Sequence, residues 1–195
     1  MTEQTIAEIY EKVMKIAGNV YSSPVTKNKG GVGHFLEDML GIPHTSNCLD
    51  CSDGELKTVP MKRLKSGEIV PKETIAVTML SREDLRHNDF ESSKCFKKMS
   101  RMLVAPYLRE GDNVRFFRPT IVDRSLDGYA ELYKIMGEDY ANIRKMFVET
   151  GKFETGMGWF LQSRTKGAGH GSTSRAFYLR VDFIKMYIPL LVSAS

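Results

Sequence analysis

Residues 49–60, LDCSDGELKTVP, constrain the fold most, because they set three carboxylates and a lysine within eight residues at the mouth of a run that reads as a buried strand. The alternation of ELKTVP is that of a strand, turning Glu55 and Lys57 to one face and Leu56 to the other. Ser52-Asp53-Gly54 is a turn, which places Asp50 on the preceding strand of a hairpin. Three charged groups, Asp50, Glu55 and Lys57, then converge on one point. Two carboxylates a few ångströms apart repel unless a cation joins them, and hard oxygen donors with water completing the shell suit Mg²⁺. A lysine beside such a metal orients a water and stabilises charge on a phosphate, the combination that phosphodiester hydrolysis requires; a surface hairpin with a solvated salt bridge is the alternative reading of the same residues.

The surroundings favour a polyanionic substrate. Net charge is only +4, but the basic residues cluster. Lys62, Arg63 and Lys65 follow the strand; Lys94, Lys97, Lys98 and Arg101 form a second group; Arg164, Lys166, Arg175 and Arg180 form a third. At 195 residues and 42% hydrophobic, the chain is long enough for a substantial core and short for two ordinary domains. One domain over residues 1–195 is therefore expected. No run approaches the apolar length that spans a bilayer, and the start MTEQTIAEIYEKV is acidic and amphipathic, unlike a signal peptide. Three cysteines argue against a disulfide framework, so a cytoplasmic protein is expected.

Helical spacing marks residues 2–17 and the segment ending at Gly41, where Val32, Phe35, Leu36, Met39 and Leu40 share one face and His34 and Glu37 fall off it. ETIAVTML and RMLVAPYL read as strands. Residues 125–151 read as helix, broken or bent near Gly137, and the tail reads as strand, glycine-rich loop, strand and helix. The class is a mixed α/β fold. Cys48 and Cys51, with His44 close by, lack the four ligands of a structural zinc site, and His34 and His170 lack the spacing of a metal or triad motif, so both are read as surface or capping residues. TKGAGHGS lacks the lysine-serine ending of a nucleotide-binding loop, so no nucleotide is implied.

Several of these stretches together resemble the MutH-like endonucleases, the strand-nicking enzyme of mismatch repair and the type II restriction enzymes that cut at GATC. NKGGVGHFLEDMLG, ELKTVP, KETIAVTML, FESSKCFKKMSRML, FLQSRTKGAG and RAFYLRVDF are similar to family segments in the same order, with a loose helical similarity between Val104 and Gly151. The resemblance implies a restriction-endonuclease-like fold with a central mixed sheet and a DNA cleft between a catalytic part, roughly 1–110, and a recognition part, roughly 111–195. It implies that Asp50, Glu55 and the Leu56 backbone carbonyl hold Mg²⁺, that Lys57 assists the attacking water, that Glu37 completes the acidic cluster, and that Lys98 stands near the scissile phosphate. The interval from Asp50 to Glu55 is shorter than in the family, which leaves Asp53 open as the alternative ligand. QSRTKGAGHG is similar to the family's recognition loop, so Arg164 and Lys166 are implied to read base edges. Tyr178 matches a tyrosine near the target adenine; a core aromatic on that strand is the equal alternative. The implied partner is duplex DNA carrying GATC, with a transient homodimer on it. TVPMKRLKSGEIVPKE looks closer to the restriction members than to the repair nickase, and a catalytically silent GATC-binding module is the third possibility.

Overall fold

A computed structural model of the chain describes residues 4–23, 30–44, 48–166 and 174–191. In chain order the elements are α1 (Ile6–Ile16), β1 (Val20–Ser22), α2 (Gly31–Leu40), β2 (Glu55–Arg63), β3 (Ile69–Pro71), β4 (Ile75–Met79), α3 (Arg82–His87), α4 (Lys94–Met99), β5 (Met102–Glu110), β6 (Asn113–Phe116), β7 (Thr120–Val122), α5 (Tyr129–Thr150), β8 (Leu161–Thr165), β9 (Arg175–Leu179) and α6 (Val181–Tyr187). A mixed six-stranded sheet runs β1-β6-β5-β2-β3, with β7 paired to the first part of β5. Its centre is the parallel pair of β2 and β5, in register from Glu55 opposite Met102 to Met61 opposite Leu108. β4, β9 and β8 form a second, antiparallel sheet.

Burial explains why β5 reads as the unbroken apolar run MLVAPYL: it is covered on both faces, as central parallel strands are. Leu103, Ala105 and Tyr107 face one core with Leu56, α1 and α2, whereas Met102, Val104 and Leu108 face another with Val59, Met61, α5 and the small sheet. Glu55 and Lys57 thus begin the face of β2 that continues as Val59 and Met61. The charged pair sits where one core ends.

Local chemistry sets the element ends. The expected helix over 2–17 begins at Ile6, because Thr5 accepts the Glu8 amide and the Glu8 carboxylate accepts the Thr5 amide, a reciprocal cap. α5 is one unbroken helix of 22 residues, so the expected break near Gly137 is absent. Gly137 lies within the helix against Phe90, whose ring a Cβ there would touch at 3.4 Å. Asp50 lies in a bend, not on a strand, and the expected hairpin shrinks to a single bridge between Cys51 and Gly54. The reason is visible in the bonding: the Asp50 side chain accepts the Leu56 amide that a neighbouring strand would have taken.

Candidate active site

Glu55 opens β2 at a position only 1% exposed, fixed by its amide bonding to the Arg101 carbonyl at 3.0 Å. Its Oε1 accepts from two ammonium groups, Lys57 Nζ at 2.5 Å and Lys98 Nζ at 2.6 Å. Lys57 arrives by strand alternation; Lys98 comes from the last turn of α4, whose N-cap Ser93 accepts the Phe96 amide. The second oxygen of Glu55, Oε2, is buried without a hydrogen-bond partner. A buried carboxylate oxygen in that condition is costly unless a bound group meets it.

Asp50 stands beside it. Its Oδ2 accepts the Leu56 amide at 3.1 Å. In a strand the N–H and C=O of one residue point to the same edge, so the Leu56 carbonyl also faces Asp50, on the edge of β2 away from β5. Burial raises the Asp50 carboxyl above its ordinary range, and the Glu55 charge raises it further, against the pull of Lys57, Lys98 and the Leu56 amide. Glu37, on α2, is likewise raised, first by burial and then by the Asp50 charge, with His34, His44 and Lys57 opposing. Three carboxylates against two ammonium groups leave this point short of positive charge. An orphaned carboxylate oxygen, a second carboxylate and a backbone carbonyl on the same strand edge make a hard oxygen donor set, which fits a divalent cation of the Mg²⁺ kind.

Asp53 is occupied elsewhere. One of its oxygens accepts the Ile6 amide at the start of α1 at 2.7 Å and the other meets Arg101 Nη1 at 2.6 Å. Arg101 also faces Asp123 at 3.3 Å. The basic clusters seen in the sequence therefore dissolve in part. Arg63 pairs with Glu110, Arg175 lies over the Phe153 ring, and Arg180 donates to the carbonyls of Gly156, Met157 and Gly158.

The other sequence candidates gather on the small sheet. Arg164 is exposed at the end of β8, with its guanidinium 5.5 Å from the Tyr178 ring centroid and Nη1 3.5 Å from Thr74 Oγ1. Tyr178 is half-buried on β9, opposite Gln162, not sealed in the core. The Lys166 amide bonds to the Ser174 carbonyl where β8 ends. The glycine-rich stretch between them, with His170, lies outside the described residues. α4, which carries Lys98, packs on β4, the strand that pairs with β9, so the two groups of candidates hang on connected elements.

The family model described as MutH, DNA mismatch repair enzyme MutH, matches residues 46–145, just over half of the chain. The chain belongs to the MutH family. The match takes in Asp50, Glu55, Lys57 and Lys98, and it runs through residues 104–145, where the visible similarity was loosest. Membership makes this a DNA endonuclease of the MutH and restriction-endonuclease type, and MutH-like nucleases are typically dependent on a divalent metal. The mixed sheet around β2 and β5 agrees with that fold. A search of curated proteins returns no match. Among the described residues, no helix is long and apolar enough to cross a membrane.

Two features escaped the sequence reading. Asp139 of α5 accepts the amides of Trp159, Phe160 and Leu161 at 2.7–2.8 Å and so ties that helix to the entrance of β8. His34 and His44 stand together with Glu37, their rings 4.8 Å apart. The spacing of His34 and Glu37, three apart on a helix, was the available signal.

Proposed function

We propose that this protein is a Mg²⁺-dependent type II restriction enzyme that cuts duplex DNA at GATC, acting as one domain with the DNA between a catalytic part, roughly 1–110, and a recognition part, roughly 111–195. The observation that carries the reading is Glu55: one oxygen holds Lys57 and Lys98, and the other is buried with no partner. Asp50, Glu55 and the Leu56 carbonyl would hold the metal, with Glu37 completing the acidic cluster. Bound there, Mg²⁺ supplies Lewis acidity and positive charge for the in-line displacement at phosphorus. Each ammonium has three N–H groups and gives one to Glu55, so Lys57 keeps donors to orient the attacking water and Lys98 keeps donors for an oxygen of the scissile phosphate. Hydrolysis in this sense leaves 5′-phosphate and 3′-hydroxyl ends. The engagement of both Asp53 oxygens by α1 and Arg101 supports Asp50 as the ligand.

Arg164 and Lys166 would read base edges, an arginine being able to bond guanine bidentately, and Tyr178 would stand by the adenine. The outward placement of Arg164 and Tyr178 supports this. A transient homodimer on the site would cut both strands of DNA in the cytoplasm.

The test is cleavage and binding by Glu55→Ala and Lys57→Ala. Both variants lose Mg²⁺-dependent cleavage of a GATC duplex while retaining specific binding in a gel shift. Cleavage surviving in both would overturn the assignment.

A further inference from the structure

α2 ends in a left-handed Gly41, φ +69°, with the Gly41 amide bonded to the Asp38 carbonyl and the Ile42 amide to the Glu37 carbonyl. This cap folds the chain back along the helix, and Ile42, buried in the core, pins it there. His44 is thereby returned beside the turn it has just left. Its Nε2 lies 3.5 Å from Glu37 Oε2 and 3.1 Å from Asp38 Oδ1. His34, one turn before Glu37, brings its ring against that of His44, and one donor atom from each of His34, Glu37 and His44 lies within 4.8 Å of the other two.

This donor set differs in kind from that of Asp50, Glu55 and Leu56. Two imidazoles and one carboxylate suit Zn²⁺ and its neighbours, not Mg²⁺. Ligand atoms around a tetrahedral zinc stand roughly 3.4 Å apart for bonds of about 2.0–2.1 Å, so rotation of the two exposed imidazoles closes the set. Solvent, or Asp38, supplies the fourth position. In the nuclease reading Glu37 also completes the acidic cluster, so it is shared between the two donor sets.

We propose that His34, Glu37 and His44 form a binding site for a transition-metal ion of the Zn²⁺ class, and that the bound ion takes the Glu37 carboxylate and slows Mg²⁺-supported DNA cleavage. The second half rests on the nuclease reading given above; the first does not. The ion would compete for the carboxylate that, in that reading, completes the acidic cluster.

Co²⁺ tests the site without DNA. Titrated into the full-length protein, it gives a visible d–d absorption band of tetrahedral type that saturates at one equivalent. Zn²⁺ displaces it. The band survives in Asp50→Asn and is lost in His34→Ala and in His44→Ala, each checked for folding by circular dichroism. No band in the wild type, or a band unchanged in both histidine variants, overturns the site whatever the enzyme does to DNA. Cleavage with Mg²⁺ is then followed with and without Zn²⁺. The wild type slows roughly tenfold, within the usual range of coupling between two sites, and His44→Ala cuts at the unslowed rate with or without Zn²⁺. Equal slowing of both proteins overturns the regulatory half, whereas a good band with no Mg²⁺-dependent cleavage at all leaves the site standing and counts against the nuclease reading.

Discussion

At the scale of single residues, the proposed active site is a conflict of charges that a bound cation would resolve. Asp50 has an ordinary value of 3.8 in an unfolded chain and is raised in the fold, by burial first and by Glu55 second. Between those two values the folded state binds more protons than the unfolded one, so stability falls as pH rises through that window, and above it the whole penalty is present. Asp50→Asn removes the charge and keeps an oxygen for the Leu56 amide. In EDTA at pH 7 the variant therefore melts at a higher temperature than the wild type, and the difference shrinks as pH falls toward 4. Adding Mg²⁺ raises the wild-type midpoint more than the variant's. Thermal unfolding with and without EDTA measures all three, and a variant that melts below the wild type at pH 7 without metal would contradict the account. Residue identity and spacing made the meeting of Glu55 and Lys57 legible, because strand alternation alone brings them to one face, whereas Asp50 reaches the β2 entrance from a bend and not from the expected hairpin strand. Lys98 was not legible that way: it reaches Glu55 from 43 positions along the chain, and spacing showed it only as one of a basic group, the family resemblance alone setting it near the scissile phosphate.

At the scale of elements, the position of Glu55 depends on how the β2 entrance meets α1. Gly54 lies where a Cβ would come within 2.6 Å of Ile6 Cγ1 and 2.7 Å of the Arg101 carbonyl oxygen. The same carbonyl receives the Glu55 amide, so any group that pushes it away also moves Glu55. Gly54→Ala is expected to cost about 1–3 kcal/mol by overpacking and to lower cleavage well beyond what the lost stability explains. Gly156→Ala, where a Cβ meets nothing within 4 Å, is the control and leaves both nearly unchanged. Urea unfolding and initial cleavage rates report the two effects. Order and type of the main elements followed from periodicity, which burial on one or two faces imposes on a sequence. What periodicity could not show was the use of a particular polar or small residue. Gly137 resembles a helix breaker and lies inside an unbroken helix beside Phe90, while Arg175 and Arg180 resemble a DNA-binding cluster and are spent on a ring and three carbonyls. Tertiary partners decide such cases, and a single sequence does not name them.

At the scale of the whole molecule, the two sheets divide the work proposed here. The family match takes in Asp50, Glu55, Lys57 and Lys98 and ends before β8 and β9, so the proposed cutting residues and the proposed reading residues lie on different parts of the chain. Arg164→Ala is accordingly expected to leave phosphodiester hydrolysis intact and to relax discrimination by about 1–3 kcal/mol, read as the ratio of cleavage rates at GATC and at a singly altered site. The question left between restriction and repair is one of strands. A duplex with a single GATC, unmethylated, hemimethylated or fully methylated at adenine, is incubated with Mg²⁺ and run on native and denaturing gels. A restriction enzyme shortens the duplex on the native gel without any added protein, and the methylation states it accepts test the role proposed for Tyr178. Breaks seen only on the denaturing gel would assign the chain to strand nicking, since one active site reaches one scissile phosphate and double-strand cutting needs a second copy or a second encounter. Specific binding without either kind of break would mean that the lysines and carboxylates gathered at Glu55 await a partner or no longer cut.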